Sequence, residues 1–293
     1  MLTVIIPAYN EEEAIGQTID SVKSVLSQVG IEHEILVVDD GSTDRTALSA
    51  GSRGARVITH LQNLGYGRSL KNGIWNARYD LVAILDADGT YPIDRLPEMI
   101  KRAEKFDMVV GARTGSEYSG RLSKRLGRFL FKVLSEFTTG RRIPDINSGF
   151  RVFRRSNVIR FFPYISSGFS FTTTVTLVYM LNDYFVDYIP ISYRERSGHS
   201  KVHYFRDTLR ATQIIVEVIL RYNPIKIFLL LSLPFFLASL IFTILSFRFG
   251  SWQVALLGLC AMSSGAIILG LGFLAVLLHE RELRMTEDKN SKL

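Results

Sequence analysis

Short apolar runs alternate with helix-length segments through the first third of the chain. The first run, residues 2–6, is rich in β-branched side chains and ends at Pro7. Four similar runs follow at residues 35–38, 56–58, 81–85 and 108–110, and four segments of helical length lie at about 13–29, 43–51, 66–77 and 93–104. Strands that are apolar on both faces and alternate with helices are typical of an α/β fold with a mostly parallel sheet. Ligands of such sheets bind at the carboxyl ends of the strands, so candidate chemistry is expected there.

The last quarter of the chain differs, because two long stretches carry no charged residue. Residues 227–247 contain 21 uncharged positions, which as a helix span about 31 Å, the thickness of a bilayer core. A second uncharged stretch covers residues 252–278, four residues further on. A buried helical hairpin of a soluble protein is the alternative, but soluble helices rarely run past about 18 residues without a charge. The pattern therefore predicts a two-helix transmembrane hairpin.

Positive charges predict how this hairpin is oriented. Cations flank its outer ends at Arg221, Lys226, Arg281 and Arg284, whereas the connecting turn carries Arg248. By the positive-inside rule, both termini and the globular part are expected in the cytoplasm. Residues 1–20 lack the pattern of a signal peptide. The single cysteine, Cys260, lies inside the second stretch, so neither a disulfide nor a cysteine metal site is expected.

These features divide the chain into a globular domain at 1–204, a juxtamembrane amphipathic helix at 205–224, the hairpin at 225–279 and a cytoplasmic tail at 280–293. Residues 119–137 place apolar side chains at helical spacing and basic side chains on the other faces. A surface helix packed on the sheet is the alternative. Beside a transmembrane hairpin we favour a helix on the membrane, because anionic lipid attracts each nearby Lys or Arg by about 1 kcal/mol. The net charge of +7 is thus assigned to phosphates and lipid headgroups, and no nucleic acid is expected as a partner.

Carboxylates follow the second apolar run. Asp39 and Asp40 come directly after residues 35–38, at the end of a predicted strand. Carboxylates there can accept hydrogen bonds from a nucleobase or a ribose. For Ser42 and Asp44, which follow in the same turn, capping of the next helix is the favoured interpretation.

A second pair of carboxylates, Asp86 and Asp88, follows the run at 81–85. An Asp-x-Asp triplet alone is a weak signal, but its place at a strand end strengthens it. The two carboxylates would repel each other unless a cation lay beside them, and oxygen ligands suit Mg²⁺ or Mn²⁺. The sequence therefore predicts a divalent metal site here.

Three further segments contain polar or glycine-rich patterns. Gly65 and Gly67 lack the third glycine of a dinucleotide fingerprint, which favours a helix-entry loop. Residues 145–150 are polar and turn-like beside the strand-like residues 151–153. Residues 194–201 concentrate cations in a glycine-containing loop, as expected near an anion; a solvated basic loop is the alternative.

Taken together, these motifs resemble a family 2 glycosyltransferase of the GT-A fold, in particular the dolichol-phosphate mannose synthase and bactoprenol glucosyltransferase group. The resemblance covers about residues 2–201, so 1–204 is the predicted glycosyltransferase domain. It implies a nucleotide diphosphate sugar as donor and a polyprenyl phosphate as acceptor. The residues it assigns to the nucleotide sugar are Pro7, Tyr9, Glu11, Val38, Asp40, Asp86, Ala87 and Asp88.

The same resemblance implies metal and acceptor roles. Asp88 is the expected direct metal ligand, with Asp86 beside it. Thr90 is the third candidate ligand, although mannose synthases often carry Gln there, which weakens the case for GDP-mannose. The acceptor phosphate is assigned to Arg113, Arg128 and Ser148, and the catalytic residues to Asp88, Arg113, Arg196 and Lys201. The Gln-x-x-Arg-Trp motif of processive enzymes does not occur, so transfer of one sugar is expected.

The chemistry of the acceptor fits this assignment. Residues 169–177 contain Ser and Thr but no carboxylate that could act as a base. A lipid monophosphate, with a second pKa near 6, is mostly dianionic at about pH 7 and attacks without a base. Direct displacement would invert the anomeric configuration.

Two other functions stay open at this stage: transfer to a hydroxyl lipid such as diacylglycerol, and a non-catalytic membrane protein that binds nucleotide sugar or lipid. The sugar, the base (UDP-glucose or GDP-mannose type), the metal and the lipid length are undetermined. Self-association to a homo-oligomer is compatible with so small a membrane anchor.

Overall fold

The computed structural model describes residues 1–114, 132–168, 170–193, 213, 216–220 and 223–290, with side chains as far as residue 278. The chain forms two compact units, Met1–Ile214 and Ile215–Leu293.

The first unit is built on one seven-stranded sheet. Its strands are β1 (Leu2–Ala8), β2 (His33–Asp39), β3 (Arg56–Thr59), β4 (Leu81–Ile84), β5 (Met108–Thr114), β6 (Arg151–Arg154) and β7 (Val186–Ser192). Its helices are α1 (Ile15–Gln28), α2 (Thr46–Ser52), α3 (Tyr66–Asn76), α4 (Leu96–Arg102), α5 (Arg155–Arg160) and α6 (Phe171–Leu181). A 3₁₀ turn, Ile93–Arg95, precedes α4, and residues 132–139 are helical.

The sheet confirms the predicted mostly parallel α/β architecture. The strand order is β3-β2-β1-β4-β6-β5-β7, and β6 alone among these strands runs antiparallel to its neighbours. The five apolar runs and the four helical segments all occur close to their predicted places, and α3 begins directly after Gly65, as the helix-entry interpretation requires.

Alternation along β1 divides the core between the two faces of the sheet. Val4 and Ile6 pack with α1 on one face, whereas Ile5 packs with Leu70 and Ile74 of α3 on the other. Because both faces are covered, the strand is apolar throughout, as is typical of parallel sheets.

Strand register brings the predicted motifs together. Ala8 at the end of β1 pairs with Asp39 at the end of β2. Ile5 pairs with Ile84, the last residue of β4. The loops that follow β1, β2 and β4 therefore leave the same edge of the sheet side by side, and they carry the candidate carboxylates.

The second unit contains two long helices, α7 (Pro224–Phe249) and α8 (Trp252–Asn290). Within the apolar ranges Pro224–Phe249 and Trp252–Leu278, the most apolar stretch of 18 residues has a mean hydropathy of 2.5 and 2.2, and 11% of each stretch is buried within the protein. Both are long and apolar enough to cross a membrane, and they are not buried core helices. In the two predicted helices, 119–137 and 205–224, residues 132–137, 213 and 216–220 are helical. Asn223 is not helical, Pro224 begins α7, and the rest lies outside the described residues.

Glycine and phenylalanine repeat every seven residues where α7 and α8 pack. Gly258, Gly265 and Gly272 of α8 face Phe242, Phe235 and Phe228 of α7 in antiparallel order. A methyl group added at Gly272 would lie 2.6 Å from Cβ of Phe228. The glycines thus permit the close approach of the two helices.

Replacing Gly272 with Ala is expected to destabilise the hairpin by about 1–3 kcal/mol, because the added carbon overlaps the Phe228 side chain. Gly270 is the matched control, since a Cβ there meets nothing within 4 Å. The measurement is unfolding of the full-length protein in detergent, followed by helical circular dichroism. Equal stability of Gly272→Ala and Gly270→Ala would contradict the packing described here.

Candidate active site

The loops after β1 and β2 are bonded to each other. Asn10, which has a left-handed φ of 53°, donates its backbone N–H to Ser42 Oγ (2.9 Å) and accepts from the Thr43 N–H (2.8 Å). The Glu11 N–H donates to Thr46 Oγ1 at 2.9 Å. The first two motifs thus form one rigid wall of the site.

Asp44 stabilises this wall and the start of α2. Its carboxylate accepts the N–H groups of Thr46 (2.9 Å) and Glu12 (3.2 Å). Burial raises the pKa of Asp44, but the hydrogen bonds from Thr46 and Glu12 lower it more, so the net shift is downward. Asp44 accepts the Thr46 N–H at the start of α2, but the N-cap residue is Arg45, which makes no side-chain cap bond, and Ser42 bonds Asn10 instead.

Asp40 is buried and holds the segment that follows β3. It accepts the N–H groups of Leu64 (2.9 Å) and Gly65 (2.8 Å) and the Nδ1–H of His60 (2.7 Å). In turn, Asn72 donates to Nε2 of His60 at 2.9 Å. Because a carboxylate accepts about four hydrogen bonds, Asp40 retains room for about one more. Its contact with a nucleobase stays a prediction, limited to that one bond.

Asp86 lies at the end of β4 in a crowded position. The Tyr66 hydroxyl donates to Asp86 Oδ1 at 3.0 Å, and Tyr91 forms a second hydrogen bond. A methyl group added at Gly149 would lie within 3.0 Å of both carboxylate oxygens. Burial, followed by the negative charge of Asp88, raises the pKa of Asp86 to about 6.

Asp88 is held by its neighbour Thr90. The Thr90 hydroxyl (2.7 Å) and N–H (3.2 Å) both donate to Asp88 Oδ1. Thr90 itself is 1% exposed, so its geometry fits orienting Asp88 better than binding a metal directly. Its predicted role as a ligand gains no support from the structure.

The two carboxylates fit a hard divalent cation. Burial, and after it the charge of Asp88, raises the pKa of Asp86, and a cation beside the two carboxylates would relieve their repulsion. Within the described residues, no group of three His, Cys, Asp or Glu is placed to hold a metal. Mg²⁺ is commonly held by one or two carboxylates together with substrate phosphates and water.

The metal-free protein is expected to become more stable when Asp86 is replaced by Asn. A folded pKa near 6, above the usual 3.8, means that the contribution of Asp86 to stability is lost as pH rises through about 6. The gain in Tm of Asp86→Asn over wild type should therefore be larger at about pH 7.5 than at about pH 4.5, measured with a chelator. A gain independent of pH would contradict this origin.

Arg113, at the end of β5, is paired with Asp145. Nε and Nη2 of Arg113 donate to the two carboxylate oxygens at 2.7 and 3.1 Å, and the Arg113 N–H adds a third bond at 3.1 Å. Burial raises the pKa of Asp145, but the bonds from Arg113 lower it more, so it stays ionised. The guanidinium also lies over the Tyr193 ring, 5.4 Å from its centroid. Binding of the acceptor phosphate by Arg113 stays a prediction, and Arg113 would bind it while paired with Asp145.

Arg151 holds the loop that carries Asp145 and Gly149. This fully buried side chain donates to the carbonyls of Ser148 and Ile146, both at 2.7 Å, and to Thr176 Oγ1 at 2.7 Å. Ser148 is 0% exposed and its hydroxyl accepts the Phe150 N–H at 3.3 Å. A contact between Ser148 and an acceptor phosphate would therefore require this loop to move.

The remaining predicted residues have different outcomes. Pro7 and Val38 are buried and paired across β1 and β2, and Tyr9 and Glu11 are half-buried in the loop wall. The Ala87 carbonyl accepts the Thr18 hydroxyl at 2.9 Å. Arg128, Arg196 and Lys201 lie outside the described residues. None of the roles assigned to these residues is tested by the geometry.

Four residues that the sequence did not point to complete the site: His60, Tyr66, Tyr91 and Arg151. Arg151 had a recognisable signal, since a cation within the apolar strand β6 needs buried acceptors. His60 and the tyrosines act through contacts over 20 or more positions of sequence or through backbone atoms, which residue patterns do not reveal.

Solved structures share this fold. Glucosyl-3-phosphoglycerate synthase from Mycobacterium tuberculosis, in complex with Mn²⁺, uridine diphosphate and glucosyl-3-phosphoglycerate, matches with a TM-score of 0.58 and 20% identity over 76% of this chain and 80% of that chain. The same synthase with Mg²⁺ and uridine diphosphate has a TM-score of 0.59 and 20% identity, over 76% of this chain and 79% of that chain. This likeness concerns the fold, and it confirms the predicted GT-A architecture.

Sequence relatives identify the family. A dolichyl-phosphate hexose transferase from Haloferax volcanii is 32% identical over 222 residues, 75% of this chain and 94% of that protein. An undecaprenyl-phosphate 4-deoxy-4-formamido-L-arabinose transferase from Pseudomonas aeruginosa is 27% identical over 301 aligned positions, 94% of this chain and 84% of that protein. The family model described as Glycosyl transferase family 2 matches residues 3–162. The chain therefore belongs to glycosyl transferase family 2.

Proposed function

We propose that this glycosyltransferase moves one sugar from a nucleotide diphosphate sugar to a polyprenyl phosphate, with inversion at the anomeric carbon. Relatives named for dolichyl phosphate and undecaprenyl phosphate support the acceptor class. Two helices able to cross a membrane support an acceptor that resides in lipid. The observation that carries the proposal is the pairing of Asp145 with Arg113, because it bears on the acceptor's chemistry.

An alcohol acceptor needs a general base, and Asp145 is unsuited to that role. Both of its oxygens are bound by Arg113, and its pKa is lowered. Helix α6, which packs beside the same loop through the Thr173–Asn147 hydrogen bond, carries threonines and no carboxylate. A phosphate monoester needs no base, since it is largely dianionic at about pH 7. The acceptor side of the site thus favours a phosphate nucleophile over a lipid hydroxyl.

The donor side is assigned to the carboxylates at the end of β4. Asp88, oriented by Thr90, would bind Mg²⁺ or Mn²⁺ directly, and Asp86 would lie beside it. When bound, the ion would stabilise negative charge on the departing nucleoside diphosphate. Divalent ions and uridine diphosphate in the mycobacterial structures support this assignment. The rigid loop wall of Asn10 and Thr43 would place the nucleotide.

The proposed orientation is cytoplasmic for the catalytic unit and for both termini. Cations before α7 and toward the end of α8 support it through the positive-inside rule. Nucleotide sugars would then reach the site from the cytoplasm, and the hairpin would keep the enzyme at the membrane that holds its acceptor.

Transfer from a panel of labelled nucleotide sugars to matched acceptors tests the proposal. The full-length protein in detergent is given polyprenyl phosphate, the polyprenol of the same length, or diacylglycerol, with Mg²⁺ or Mn²⁺ or with chelator. Product on the phosphate alone, lost with chelator, is the expected result. NMR of the product's anomeric proton then reports inversion or retention.

Other outcomes would assign a different function. Product on polyprenol or diacylglycerol would show that the enzyme uses a hydroxyl acceptor and would overturn the argument from Asp145. Binding of nucleotide sugar without turnover on any acceptor would indicate a non-catalytic binding protein.

A further inference from the structure

Tyr91 lies between the donor and acceptor sides of the site. It follows the Asp86–Asp88 segment by three residues, and it is 4% exposed. Its hydroxyl accepts the backbone N–H of Gly149 at 2.8 Å and lies close enough to the Asp86 carboxylate to lower the pKa of that group by hydrogen bonding. One oxygen atom therefore contacts both a donor-side carboxylate and the acceptor-side loop.

The direction of these hydrogen bonds is fixed by chemistry. A phenol has one proton and a backbone amide can only donate, so the Tyr91 hydroxyl accepts from Gly149 and keeps its own proton free to donate to Asp86. Burial and the charge of Asp86 raise the pKa of Tyr91 well above 10, so the proton is retained. The chain of bonds runs from the Gly149 N–H through the Tyr91 O–H to Asp86.

The Tyr91 ring makes a second connection to the acceptor side. It packs against Phe150 and, edge-on, against Tyr193, both with centroids 5.5 Å apart. Tyr193 in turn lies under the guanidinium of Arg113, which is paired with Asp145. The hydroxyl of Tyr91 thus contacts Gly149, and its ring is connected through Tyr193 to Arg113. Both residues belong to the acceptor side.

We propose that Tyr91 is a positioning residue that couples Asp86 to the loop at residues 145–150, so that donor and acceptor are held in line. The inference rests on the proposed transfer reaction. In-line attack requires the two substrates to be placed relative to each other to within a fraction of an ångström, and errors of about 1 Å can cost about 10²-fold in rate. A single side chain that contacts both Asp86 and the loop at residues 145–150 reduces the error in the relative placement of donor and acceptor.

Replacing Tyr91 with Phe keeps the ring and removes the hydroxyl that contacts Gly149 and Asp86. The expected result is a fall in kcat of about 10- to 100-fold, with KM for the donor and the Kd for Mn²⁺ changed by less than about 3-fold. Hydrogen exchange at the Gly149 amide should become faster, because that N–H loses its acceptor. This last measurement does not depend on turnover.

Two matched tyrosine variants complete the experiment. Tyr66→Phe removes the hydrogen bond from the Tyr66 hydroxyl to Asp86 and is expected to leave hydrogen exchange at Gly149 unchanged. Tyr179→Phe removes a buried hydroxyl that has no hydrogen-bond partner among the described residues, and it should match wild type in kcat.

The outcomes separate this inference from the transfer reaction itself. If wild type transfers sugar and Tyr91→Phe keeps its kcat, the coupling role is overturned and the proposed reaction stands. If Tyr91→Phe loses Mn²⁺ affinity, Tm and kcat together, Tyr91 is only structural. If wild type labels no acceptor, the proposed function fails, and the coupling role fails with it.

Discussion

Replacing Asp88 with Asn should lower sugar transfer by about 10³-fold or more, because a neutral amide binds the divalent ion that stabilises the leaving diphosphate far more weakly than a carboxylate does. The substitution changes one atom and keeps the hydrogen bonds from Thr90 available to the remaining oxygen. Overall folding should therefore be preserved. The measurements are kcat with the donor identified by the panel and Mn²⁺ affinity by calorimetry, where binding should weaken in parallel.

Asp94→Asn is the control for this experiment. Asp94 is exposed in the 3₁₀ turn before α4, so the same chemical change occurs six positions further along without altering the site. Transfer by Asp94→Asn should equal that of wild type. If Asp88→Asn kept wild-type rates with unchanged Mn²⁺ affinity, the metal would be held elsewhere and the assignment of the donor side would fail.

The position of Asp88 could be predicted because it depends on local pattern. A buried strand followed by polar residues places those residues at the carboxyl edge of the sheet, whatever the rest of the chain does. The same holds for Asp40 after β2 and for each of the two long apolar helices, which composition alone predicts. Each of these predictions required information from fewer than about 30 consecutive residues.

The direction of β6 and the existence of β7 could not be predicted from short stretches of sequence. The apolar pattern of residues 151–153 indicates a strand but not its direction, and β6 is antiparallel to both neighbours. In β7, residues 186–188 are only partly buried and Pro190 interrupts the apolar run, so the sequence pattern indicates a strand only weakly. Pairing with β5 supplies the stability that local propensity lacks.

The hydrogen-bond partners of the predicted residues also could not be predicted from the local sequence pattern. Arg113 was identified as a candidate, but its pairing with Asp145, 32 positions away, was not. This pairing changes the chemistry, since a free cation would attract the acceptor phosphate more strongly than half of an ion pair does. Similarly, Thr90 was grouped with the metal ligands, but its two hydrogen bonds to Asp88 were not predicted.

Gly149→Ala should lower kcat by about 10²-fold, although the change adds a single methyl group. The new carbon would lie 2.8 Å from the Tyr66 hydroxyl and 2.9 and 3.0 Å from the two oxygens of Asp86. The Tyr66 hydroxyl and the Asp86 carboxylate are already hydrogen-bonded to each other, so the loop or the Asp86 carboxylate must shift by a few tenths of an ångström. Either shift misplaces the donor relative to the acceptor, and overpacking adds a stability loss of about 1–3 kcal/mol.

Gly51→Ala provides the comparison, because a Cβ at that position in α2 meets nothing within 4 Å. It should retain wild-type kcat and be as stable as wild type or slightly more so, since Ala favours helix over Gly. The decisive quantity is kcat under saturating donor and acceptor, with Mn²⁺ affinity measured alongside. Full activity of Gly149→Ala would mean that Asp86 tolerates displacement, and the close contact between Asp86 and the acceptor-side loop would then have no part in catalysis.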